Sequence, residues 1–133
     1  MFARRFLFAL ALSAAPALHA QPVEFPLELI EYLDDVKVVA FVRPSALEKA
    51  PTWDPVAEPL PLGIPQALQA VRAFVGPDSG YRLQSIELKP IPSHPGHWHY
   101  LVRTTDPHGK PRYFAVLLDG TLIPATVEPE SYK

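Results

Sequence analysis

Hydrophobic and polar positions along the chain fall into segments of two different periods. In 64–75, Ile64, Leu68, Val71 and Val75 recur at helical spacing, with Ala67 and Phe74 beside them and Gln66, Gln69 and Arg72 facing away. That spacing is one stripe of a 3.6-residue period. Pro65 suits a first helical turn, and Gly76-Pro77 supplies a stop signal, with the glycine in the left-handed cap position. The pattern predicts an amphipathic helix whose stripe lies on a sheet.

Period-two segments follow. Tyr81–Lys89 alternates but changes phase between Leu83 and Ile86, which predicts a strand with a bulge. Trp98, Tyr100 and Val102 share one face of the next strand; His97, His99, Leu101 and Arg103 share the other. Arg112–Leu118 and Leu122–Thr126 are predicted to pair around Asp119-Gly120, the residues a type I′ turn asks for.

Upstream, Val36–Val42 is β-branched and aromatic and predicts a strand. Leu27–Asp34 carries Leu27, Ile30 and Leu33 at helical spacing, with Glu28, Glu31 and Asp34 opposite, and reads as a short helix with one wet face. Phe25, Leu27 and Leu29 also alternate. Six prolines, Pro44, Pro51, Pro55, Pro59, Pro61 and Pro65, fall within residues 44–65. Each removes a backbone donor and restricts its neighbour, so 44–65 is read as irregular. Its Trp53, Val56, Leu60 and Leu62 favour an ordered loop over a free spacer. The expected fold class is α+β: one main helix packed on a four- or five-stranded antiparallel sheet that includes Val36–Val42.

The N-terminus changes the picture of compartment. Arg4 and Arg5 precede an unbroken apolar run, Phe6–Leu12, and a small-residue stretch ending at Ala20. This is the three-part pattern of a secretory signal peptide, too short to span a bilayer. Cleavage is expected after Ala20, or after Ala17, giving a secreted or periplasmic product. The expected organisation is 1–20 signal peptide, 21–62 N-terminal strand and Pro-rich loop, and 63–133 helix plus meander, the last two forming one domain.

Losing Arg4 and Arg5 takes the net charge from −2 to about −4. A mildly acidic domain has no basic footprint for nucleic acid. With no cysteine, disulfides, thiol catalysis and thiolate metal sites are excluded together. The remaining length, about 110 residues, suffices for a core of its own.

Candidate chemistry is sparse. The chain holds no G-x-S-x-G, no glycine-rich phosphate loop and no H-E-x-x-H, and Ser45, Ser79, Ser85 and Ser93 carry no motif. Asp34-Asp35 reads as a solvated turn. His94, His97 and His99 crowd the segment HPGHWH, with His108 in the following loop. Two histidines two apart on a strand emerge on one face, and neutral imidazole suits copper, zinc or nickel. The competing reading is that these are polar groups on a wet face. Trp98 alternates in phase with Tyr100 and Val102 and is expected in the core. Trp53 is expected to fold over the sheet edge or the helix.

The runs PQALQAVRAFVG, YRLQSIELKPI, HWHYLVRTT and KPRYFAVLLDGTLI, with Ala67, Tyr100 and Asp119-Gly120 at matching places, resemble a PepSY-type domain over about residues 63–126. The longer Pro-containing loop before Arg112 and the extra segment 21–62 depart from that pattern. The resemblance implies a small exported module that interacts with a peptide or protease, often inhibiting it, and assigns no catalytic residue. The sequence-based expectation is a non-enzymatic exported domain without cofactor. It would bind a peptide or an extracytoplasmic protein, by strand addition at a sheet edge or by capture on the sheet face that the helix leaves open, and neither bind nucleic acid nor cross the membrane once the leader is removed. The alternative is a periplasmic metal-binding protein using His94, His97 and His99.

Overall fold

The computed structural model describes residues 23–33 and 35–129; the expected signal peptide, both cleavage positions and Asp34 lie outside that range. The elements in chain order are β1 (Leu27–Leu33), β2 (Val36–Val42), α1 (Pro44–Lys49), α2 (Ile64–Val75), β3 (Arg82–Pro90), β4 (Trp98–Thr105), β5 (Pro111–Leu117), β6 (Leu122–Pro124) and β7 (Thr126–Pro129). They form two antiparallel sheets, a three-stranded one ordered β1-β2-β7 and a four-stranded one ordered β3-β4-β5-β6.

The expected α+β layout of one main helix on one sheet is therefore corrected. Among the described residues the protein is mostly β, with seven strands in two sheets and two short helices. The reason lies in β4 and β5, which are buried on both faces. Tyr100 and Val102, with Phe114, Val116 and Leu118, pack under Ala67 and Val71 of α2. On the opposite face, Ala115 and Leu117 pack with Leu29, Ala40 and Val42 of the small sheet and Leu47 of α1. Leu101 meets Leu33 and Val38 there as well. A strand covered on both sides carries a continuous apolar run rather than an alternation, and Tyr113-Phe114-Ala115-Val116-Leu117-Leu118 is such a run.

Residues 27–33 form a strand, not the expected short helix. They pair with β2 in full register from Leu27↔Val42 to Leu33↔Val36. Leu29 and Leu33 point into the inter-sheet core, while Ile30 and Tyr32 remain exposed. The helical spacing of Leu27, Ile30 and Leu33 was coincidental to a period-two pattern. The other side of β2 pairs with β7, from Val36↔Pro129 to Val39↔Thr126, so the last described segment returns to the first sheet.

The Pro-rich stretch is not wholly irregular. Pro44 occupies the start of α1, where its missing N–H is no loss. The rest is a loop held by specific contacts. The Tyr100 hydroxyl donates to the Leu62 carbonyl at 2.6 Å, Trp53 Nε1 donates to the Glu58 carbonyl at 3.0 Å, and the Trp53 and Trp98 rings meet edge-on at 5.2 Å.

The helix forms at Ile64–Val75, but its buried line is rotated from the expected stripe. Ala67 and Val71 are its buried residues, whereas Ile64 is 49% and Phe74 58% exposed; the Phe74 ring still meets Phe114 at 5.6 Å. The Asp119-Gly120 turn differs from the two-residue type I′ form. Leu117 N–H donates to Thr121 O and Gly120 N–H to Leu117 O. Positive φ occurs at Gly120 (90°) but not at Asp119. That is a three-residue loop, a type I turn closed by a glycine bulge.

Candidate functional site

Among the described residues the β3 strand is an outer strand of the large sheet, paired only with β4. Its register steps between Leu83 and Ser85, where Gln84 is the extra residue. The bulge has a direct consequence for side-chain direction. Leu83 pairs with Thr104 and Ile86 with Val102, so two residues three apart face the α2 side together. α2 itself leans over β5 and β6, which leaves the β3 side of the sheet less covered. Between the C-terminal half of the helix and the outer strands lies a cavity of about 190 Å³. Leu68, Arg72 and Val75 form one wall, Val102 and Thr104 the floor, and Tyr81, Arg82 and Leu83 the far wall. Leu83 is 48% exposed, and Arg72 and Arg82 are exposed at the rim. Among the described residues neither arginine takes part in an ion pair. Gly76, with φ of 93°, ends the helix at the mouth of the cavity, a backbone geometry that favours glycine.

The histidines are distributed over different surroundings. His99 lies on the inter-sheet side of β4, between Lys89 and Leu117 in the ladder, and is 3% exposed. This corrects the expectation of a wet face: the small sheet covers it. Burial drives the His99 pKa down to about 4; the Glu31 carboxylate and a hydrogen bond with the Lys89 backbone oppose that shift, and the Lys89 ammonium adds to it. His97 precedes β4 and lines a second cavity of about 210 Å³ with His94, Leu27, Pro44, Leu47 and Glu48. His94 Nδ1 is 2.9 Å from the Pro92 carbonyl. His108 is exposed in the β4–β5 turn, where its backbone N–H donates to Asp106 Oδ1 at 2.9 Å. Among the described residues no group of three or more His, Asp or Glu side chains is placed to share an ion.

Glu31 was expected on a wet helix face with Glu28. The strand separates the two: Glu28 is exposed, and the Glu31 carboxylate reaches Lys89 Nζ at 2.7 Å across the two sheets. Sequence reasoning missed this Glu31–Lys89–His99 group. The available signal was the period-two phase of Leu27, Leu29, Glu31 and Leu33, which puts Glu31 on the inward face. Asp106 was likewise missed. Its carboxyl is buried and held below the ordinary carboxylate range, foremost by the Lys110 N–H, with further help from the His108 N–H and the Arg112 guanidinium at 3.2 Å. It ties down the β4–β5 turn. Of the serines, Ser45 donates to Glu24 at 3.0 Å, Ser79 lines the first cavity, and Ser85 Oγ is buried without a partner.

No protein-family model matches the chain, and neither a curated protein nor a solved structure is significantly similar to it.

Proposed function

We propose that this protein is a non-catalytic extracytoplasmic module that binds an extended segment of a peptide or of another protein. The bound segment adds as a strand along β3 and places a side chain in the cavity beside α2. The observation that carries this reading is the coincidence of an outer strand with a cavity of mixed polar and apolar lining on the same flank. Outer strands offer unpaired N–H and C=O groups for main-chain bonding, and side-chain pockets beside them give selectivity. The bulge at Gln84 restricts pairing to short segments, which fits recognition of one stretch of chain better than open-ended association. The cavity volume is below the roughly 300–1,000 Å³ typical of small-molecule sites, and suits a side chain rather than a free metabolite. The PepSY-like pattern of 63–126 points the same way.

Screening the full chain against an immobilised peptide library tests the reading. Binders are expected that lose affinity for a Leu83→Ser variant of unchanged circular dichroism. Binding that is indifferent to Leu83→Ser, or no binder at all, would overturn it.

A further inference from the structure

We infer that the protein associates with a second copy of itself by pairing the free edges of two β1 strands, antiparallel and centred on Ile30. This concerns the small sheet and does not rest on the peptide-binding reading of β3. Among the described residues four strands end a sheet: β1, β7, β3 and β6. Such edges present unpaired N–H and C=O groups, and proteins guard them with short length, proline, lysine or a bulge. Three of the four are guarded in this way. β3 has the bulge at Gln84, Lys89 and a terminal Pro90. β6 has three residues and ends in Pro124; β7 has four and ends in Pro129. β1 has none of these devices. Its seven residues contain no proline, lysine or arginine and pair with β2 without a register shift. An inward-pointing charge is a further guard, and β1 carries one in Glu31, but Lys89 Nζ neutralises it at 2.7 Å. Ile30 and Tyr32, on the outward face, are 39% and 67% exposed.

The occupant follows from the pattern of the strand itself. A two-fold axis normal to the sheet keeps inward residues opposite inward ones, so a symmetric pairing is centred on a residue. Centred on Ile30, the whole strand pairs: Ile30 with its own copy, Leu29 with Glu31, Glu28 with Tyr32 and Leu27 with Leu33. No two carboxylates are opposed, and Ile30 meets Ile30 on the axis. Centred on Glu31, that carboxylate faces its own copy, and like charges directly opposite destabilise a strand pair. Centred on Leu29, Tyr32 runs against Pro26, which has no N–H to give, and only Leu27–Glu31 pair. A second copy already carries the complement that any other strand would have to supply.

Sedimentation of the full chain from about 10 µM to about 1 mM tests the inference. One strand pair is a small interface, so a weak, concentration-dependent dimer is expected. Ile30→Lys sets two ammonium groups opposite each other and should weaken association roughly tenfold or more. Ile30 is partly exposed on the outward face, and a urea melt checks that the variant is folded. The chain has no cysteine, so Ile30→Cys supplies a unique thiol. Residues directly opposite have Cα atoms about 4.5–5.5 Å apart, within disulfide reach. Under mild oxidation Ile30→Cys should therefore cross-link to a covalent dimer. Glu28→Cys should not, because its copy lies four residues along the partner strand, about 13 Å away. A protein that stays monomeric throughout, association indifferent to Ile30→Lys, or Glu28→Cys cross-linking as readily as Ile30→Cys would each overturn the inference.

Discussion

Acidification from neutral pH should destabilise this protein through one buried side chain, His99. The imidazole is 3% exposed in the inter-sheet core, and its Nδ1 has no hydrogen-bond partner. Burial lowers its pKa from the ordinary 6.5 to about 4, with Glu31 opposing and Lys89 assisting. Between those two values the unfolded chain binds a proton that the folded chain does not. Stability is therefore fully present above pH 6.5, falls as the pH drops through the window, and levels off below about 4. At about 1.4 kcal/mol per pH unit, the whole window amounts to about 3 kcal/mol. Against a total of roughly 5–15 kcal/mol for a typical domain, that is a large fraction. Urea melts at intervals between pH 7 and pH 4, run beside His99→Leu, isolate the contribution. The other histidines remain in both proteins, and Asp106, whose pKa is lowered from an ordinary 3.8, titrates below the window. The wild type should lose about 3 kcal/mol more than the variant over this range. Equal slopes, or an NMR titration placing His99 near 6.5, would refute the burial argument.

Two further predictions test the architecture. Leu117 is fully buried between the sheets, so Leu117→Ala should cost roughly 2–5 kcal/mol in denaturant melts; an effect below 1 kcal/mol would mean that the small sheet does not close over β5. Tyr100→Phe removes the 2.6 Å hydrogen bond to the Leu62 carbonyl. It should cost about 1 kcal/mol and raise hydrogen exchange or protease sensitivity selectively in the 51–62 loop.

How much of this was legible depends on the range of the interaction involved. The α2 helix could be read because its period, its first-turn proline and its glycine stop are all local. So could the β3 bulge, since an inserted residue shifts the alternation of its own strand. The buried face of α2 was read half a stripe off. Ile64 and Phe74 are as apolar as Leu68 and Val71, and only the tilt of the helix over β5 and β6 decides which of them meet the sheet. The candidate groove was legible only in part: the outward Leu83 follows from the phase change, but the lean of α2 over β5 and β6, which leaves the β3 flank open, does not.

The sequence by itself determined the elements whose signals lie within a dozen residues, together with the lack of cysteine, the acid excess and the absence of familiar catalytic motifs. The tertiary structure decided everything that depended on which surface covers which. It turned 27–33 from a helix pattern into a strand, because full-length pairing with β2 and burial of Leu29 and Leu33 outweigh a three-residue coincidence of spacing. It recruited β7 to β2, turning one expected sheet into two. It made His99 a buried neutral group and Glu31 the partner of Lys89, where local pattern made them wet. The physical reason is the same in each case. A polar residue on a strand is exposed or buried according to what packs on its face, and that partner can lie anywhere in the chain. Glu31 and Lys89 are far apart in sequence and 2.7 Å apart in space.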